Sequence, residues 1–146
     1  MMILDAENSV LGRLSSFIAK ALMKGEKVSV VNAEKAVISG EPSVTVLKYA
    51  RRRLQKDKSN PEHSAHWPRR PDMLVKRIIR GMLPFKKPRG QIAFKNLRVY
   101  MGVPPELSLS KTTKVETKVK EALHARTITV ADLCKRLGYE PYEPKR

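Results

Sequence analysis

The chain is short of cysteine, of aromatic rings, of acids and of long apolar runs, and each shortage removes a class of protein. Cys134 is the one cysteine among 146 residues. An internal disulfide and a cysteine-built metal cluster are therefore excluded, and the residue reads as a small apolar side chain packed in a helix. The longest stretch without a charged residue is the seven residues from Val99 to Pro105, far below the ~20 apolar residues of a membrane-spanning helix. No membrane span or membrane partner is expected. The amino terminus, MMILDAE, has acids at Asp5 and Glu7 where a secretory leader has basic residues, so a cytoplasmic protein is expected. Neither glycine pattern that cradles phosphates, G-x-x-x-x-G-K-[ST] or G-x-G-x-x-G, occurs. Gly12, in ENSVLGR, stands alone, and helix packing explains it as well as a nucleotide does.

Aromatic residues make up only 5% of the chain, yet 41% is hydrophobic and periodic, which excludes a disordered polypeptide. A domain of this length typically buries ~70% of its unfolded surface and needs no disulfide to hold a core. The acids are the telling shortage. There are 14 against 30 Lys and Arg, a net charge of +16. Between Lys48 and Arg98 stand 16 basic residues and 3 acidic ones, so the excess is concentrated in one central third. That distribution points to a polyanion, and to nucleic acid first.

The first part reads as strand, helix, strand. Ile3 to Ala6 is a short apolar run. Asn8 and Ser9 offer N-cap oxygens, and Val10, Leu11, Leu14, Phe17, Ile18, Ala21 and Leu22 recur at helical spacing before Gly25. Val28 to Val31 is apolar and β-branched, as in a strand covered on both faces of a parallel sheet. Ala36 to Ser39 reads as a third strand. After Pro42, a helix carries Val44, Leu47, Ala50 and Leu54 as its apolar stripe, with Lys48, Arg52 and Lys56 opposite. Residues 59–71 form a proline-bounded loop. Pro71 then opens a helix with Leu74, Val75, Ile78, Ile79, Met82 and Leu83 on one half and Lys76, Arg77 and Arg80 on the other. PFKKPRG reads as an extended basic loop, Gln91 to Leu97 as a short helix and Arg98 to Met101 as the fourth strand. Residues 108–126 are expected to be surface-lying and partly helical. A last helix starts at Thr129 and stops at Gly138.

Two helices and a loop that project positive charge with almost no acids repel themselves unless a phosphate backbone is present. Trp67, Tyr49, His63 and His66 are candidates to stack on unpaired bases. His63, His66, His124 and Cys134 do not have the spacing of a zinc site. The rival reading is a basic α/β metal-dependent RNA-processing enzyme, with Asp5, Glu7 and Glu34 near strand ends as the metal ligands. A DNA-reading regulator is disfavoured because residues 73–83 include no Asn or Gln to read base edges.

LGRLSSFIAKALMKGEKVSVVNAEKAVISG, RRPDMLVKRIIRGMLP and LRVYMGVPPEL, in that order, closely resemble the family of the universal large-subunit ribosomal protein number thirteen, in its archaeal and eukaryotic branch. The resemblance covers about Met2 to Leu107. It implies an α/β fold, a three-layer α/β/α domain with a small, mostly parallel four-stranded sheet and a C-terminal helical extension. The expected division is 1–107 for the α/β domain and 108–146 for the extension. It also implies binding to large-subunit rRNA during early assembly, with neighbouring large-subunit ribosomal proteins as partners. It implies no catalytic activity and no required cofactor, and neither a metal nor a small-molecule substrate is expected. Carried over as rRNA contacts are Arg69, Arg70, Lys76, Arg77, Arg80, Lys86, Lys87 and Arg89. Lys48, Arg51, Arg52, Arg53, Lys56 and Lys58 join them on charge alone.

Overall fold

The computed structural model describes residues 2–108, 113–114 and 126–140. β1 (Met2–Asp5) leads through α1 (Leu11–Met23) to β2 (Val28–Val31), which runs parallel to β1 with Met2 opposite Val28 and Asp5 opposite Val31. β4 (Leu97–Val99) extends the sheet beyond β2, and β5 (Thr113–Lys114) extends it beyond β1. All four are parallel, in the order β4-β2-β1-β5. Register partners share a face and successive residues alternate. Leu4, Val28 and Val30 therefore point to one side and Ile3, Ser29 and Val31 to the other, and all six are buried. The sheet is covered on both faces, which is why β2 is apolar throughout. The α/β/α plan, the small parallel sheet and a C-terminal helix, α6 (Val130–Arg136), which follows the single turn α5 (Pro105–Ser108) in the helix order, agree with expectation.

The membership of the sheet does not. β3 (Val37–Ser39) was expected as its third strand, but pairs antiparallel with β6 (Thr127–Thr129) in a separate two-stranded sheet, Val37 opposite Thr129. Three residues carry too little pattern to choose between partners. The place it leaves is taken by β5. The rest of residues 109–125, expected as a partly helical surface segment, lies outside the described residues, and so does His124.

α1 buries Leu11, Leu14, Ile18, Ala21 and Leu22, and Gly25 ends it at φ +92°. Phe17, expected on that stripe, stands at its margin and is 41% exposed. The expected caps, Asn8 and Ser9, do not cap. They form a turn in which the Ser9 N–H donates to the Ala6 carbonyl at 3.1 Å, and Val10 takes the N-cap position without a side-chain bond. α3 (Pro71–Met82) buries Leu74, Val75 and Ile79, with Leu83 just beyond. α6 begins as expected, the Thr129 hydroxyl accepting from the Asp132 N–H at 3.1 Å, and sends Leu133 and Cys134 into the core that α1 and α3 share.

Two helices depart from the reading. α2 (Pro42–Leu54) turns Thr45 and Tyr49 inward, leaving three of the four expected core residues, Val44, Leu47 and Leu54, exposed. Tyr49 offers a large apolar ring to bury, and the Arg53 guanidinium makes its bond on the same side, donating to the Leu137 carbonyl at 2.8 Å. Together they rotate the helix away from its aliphatic stripe. PFKKPRG is not extended throughout. A tight turn, closed by the Lys87 N–H to the Pro84 carbonyl at 2.9 Å, leads directly into α4 (Pro88–Lys95). Lys87 is extended, as a residue before proline should be. Gly90 is helical. A Cβ there would collide with the Pro84 carbonyl, so glycine permits close approach and does not loosen the backbone.

Candidate nucleic-acid interface

The outward half of α3 presents Lys76, Arg77 and Arg80, and each is set against an aromatic ring. Arg80 lies 4.1 Å from the Phe85 ring centre, Arg77 5.3 Å from Trp67 and Lys76 5.2 Å from Phe94. From α2, Arg52 reaches the same Trp67 at 4.8 Å. Cation–π attraction holds these long side chains in place while leaving N–H donors free to point outward. Phe85 and Phe94 brace each other edge to face at 5.4 Å, and Tyr49 meets Trp67 the same way at 5.8 Å.

Between these groups run two adjoining hollows. One, of about 580 Å³, is lined by Trp67, Arg77, Arg80, Phe85, Lys86 and Lys87. The other, of about 500 Å³, is lined by His66, Trp67, Met73, Lys76, Arg77, Arg80 and Phe94. They share Trp67, Arg77 and Arg80, and so form one groove with an aromatic floor and cationic walls. Burial, and then the neighbouring Arg80, lowers the pKa of Arg77. An anion in the groove would offset both by favouring the charged guanidinium.

The expected contact residues divide. Arg52, Lys76, Arg77, Arg80, Lys86 and Lys87 stand on the groove or its rings. Among the described residues none of the six is ion-paired. Arg53 instead ties α2 to Leu137 beyond α6. Arg69 donates to the Gly138 carbonyl at 3.5 Å, and Arg70 pairs with Asp72 at 2.9 Å through two bonds. Arg89 faces away, donating to the Met23 carbonyl at 3.2 Å. Lys48, Arg51, Lys56 and Lys58 are exposed on and after α2 and do not line the groove. Lys56, expected on the helix, lies beyond its end at Leu54.

Of the stacking candidates, Tyr49 is buried and the half-buried Trp67 already carries two arginines, so both are supports. His66 is exposed at the groove edge and His63 sits in a 3-10 turn, Pro61–His63. Phe85 and Phe94 were not singled out from the sequence. Their signal was aromatic residues interleaved with the basic run.

The three acids of the enzyme reading are otherwise engaged. Asp5 is buried and accepts from the Glu7 N–H at 3.0 Å and the Asn32 side chain at 2.9 Å. Glu7 is paired with Lys35 at 2.9 Å, which raises the lysine's pKa through that hydrogen bond and the charge behind it. Glu34 accepts the Gly102 N–H at 3.1 Å. Among the described residues no group of three or more acidic, histidine or cysteine side chains is placed to hold a metal ion.

Known proteins resemble the chain over most of its length. The family model described as Ribosomal protein L13 matches residues 1–106. The large ribosomal subunit protein uL13 of Methanococcus maripaludis is 48% identical over 110 residues, covering 75% of this chain and 80% of that protein. Those of Methanopyrus kandleri and Methanocaldococcus jannaschii are 39% and 41% identical over 142 and 140 residues, each across 94% of this chain and across 87% and 98% of their own lengths.

Proposed function

Because the chain belongs to the ribosomal protein L13 family, a structural and not an enzymatic protein of the cytoplasmic ribosome, we propose that it binds large-subunit rRNA through the α3 groove and supports early subunit assembly. The carrying observation is five cations lining one groove, with Arg52 behind them on the Trp67 ring, four of the six held against aromatic rings and none ion-paired among the described residues. Such an arrangement fits phosphates better than bases, because the guanidinium groups already occupy the rings. Specificity then comes from RNA shape, as the spacing of the cations selects where two backbone segments approach. The names of the relatives support the large subunit as the site of assembly. Binding early is consistent with a groove that the folded domain sets by itself.

If the six cations each meet one phosphate, affinity falls roughly 300- to 2,000-fold between 50 and 200 mM salt. Cosedimentation of the purified chain with the large subunit at moderate salt tests the reading. Recovery in the large-subunit fraction is expected. Recovery only with the small subunit, or with neither, overturns it.

A further inference from the structure

The rotation of α2 that buries Thr45 and Tyr49 turns an aliphatic line outward. Val44, Leu47 and Leu54 are 64%, 51% and 79% exposed. With Arg51 they occupy positions 44, 47, 51 and 54, the alternating three-and-four spacing by which one helix seats another. Exposed apolar residues scattered singly need no explanation, but a line at this spacing does.

Charge identifies the occupant. Arg51 stands within this line, and Lys48, expected opposite it, instead flanks it one turn after Val44; both are exposed. The nearby acids are turned to other work. Glu41 pairs with Arg126 at 2.9 Å, and the Asp57 carboxylate accepts from the Ser59 hydroxyl at 2.6 Å and from two backbone N–H groups, which lowers its pKa. A second copy packed about a two-fold axis would bring Arg51 toward Arg51. RNA would satisfy the cations and leave the three aliphatics against phosphate and ribose. We propose that the outward face of α2 docks an acidic amphipathic helix of another polypeptide in the ribosomal particle, an inference that rests on the ribosomal reading. Its apolar seam covers Val44, Leu47 and Leu54, and its carboxylates meet Lys48 and Arg51.

A photoreactive benzoylphenylalanine placed at Leu47, or at Leu54 where the helix ends and folding is least disturbed, is carried on the full chain into large subunits and irradiated. The expected product survives ribonuclease, is lost to protease, and maps by mass spectrometry to an acidic helical segment of another ribosomal protein. Its yield should fall about tenfold with Arg51→Glu and return with Arg51→Lys. An adduct with RNA, with a second copy or with residues 115–125 of the same chain overturns the inference, as does no adduct from either position. Failure of the unmodified chain to enter the particle instead brings down the ribosomal reading itself.

Discussion

The guanidinium of Arg80 lies 4.1 Å from the centre of the Phe85 ring, so the end of α3 and the turn after it hold one cation between them. The ring adds no charge to the groove but fixes where a charge stands. Phe85→Leu should therefore weaken rRNA binding two- to fivefold, matching about 0.5–1 kcal/mol for a partly exposed cation–π contact, with no change in the salt slope. Filter binding over a salt series checks it. A changed slope would mean that the ring orders more than this one cation.

Lys86 and Lys87 line the groove, whereas Arg89 points to the Met23 carbonyl behind it. Replacing both lysines with alanine should reduce the magnitude of the log–log salt slope by about 1.4–1.8. Adding Arg89→Ala should reduce it no further. A further drop of about one unit would put Arg89 on the RNA, where the sequence alone had placed it.

The two glycines flanking this turn have opposite surroundings. A Cβ at Gly90 meets the Pro84 backbone, while one at Gly81 has no atom within 4 Å. Gly90→Ala should cost about 1–3 kcal/mol. Gly81→Ala should stabilise by up to about 1 kcal/mol, since the helix no longer pays glycine's entropy. Urea denaturation reads both, and equal effects would contradict the packing described.

Burial, with Asp72 adding to it, pushes the Cys134 thiol up to about 12. The unfolded chain releases this proton near pH 9, so above that pH the folded state holds more protons and stability falls as pH rises. The contribution is fully present below pH 9 and is lost progressively toward pH 12. The stability of the native chain relative to Cys134→Val should drop by about 2 kcal/mol between pH 9 and pH 11. A difference that stays flat across this range would mean the thiol is not held protonated.

The sequence was most legible where one pattern had one solution. The 3.6-residue periodicity of α1 and α3, the unbroken apolar β2, the Pro71 start and the Thr129 cap all correspond to observed features. It was least legible where two faces competed. The line of Val44, Leu47 and Leu54 is as regular as the stripe of α3, but Tyr49 and the long reach of Arg53 to Leu137 decide which side of α2 turns inward. Short strands failed for a related reason, since β3 and β5 have three and two residues and their partners are chosen by tertiary packing.

The charge pattern pointed to the region of the proposed interface but could not divide it. Counting cations gave Arg53, Arg69, Arg70 and Arg89 the same weight as Arg77 and Arg80, although the first four make backbone or carboxylate bonds within the fold. What separates the two sets is the position of three rings, Trp67, Phe85 and Phe94. These lie far apart in sequence and converge only once α3 is packed between the preceding loop and α4.

The most direct test is the salt dependence of binding to a large-subunit rRNA fragment, measured for the native chain and for Lys76→Gln, Arg77→Gln and Arg80→Gln combined. The magnitude of the slope should fall by about 2–3, with the cooperative unfolding transition retained. An unchanged slope from a folded triple variant would contradict the assignment of RNA to this groove.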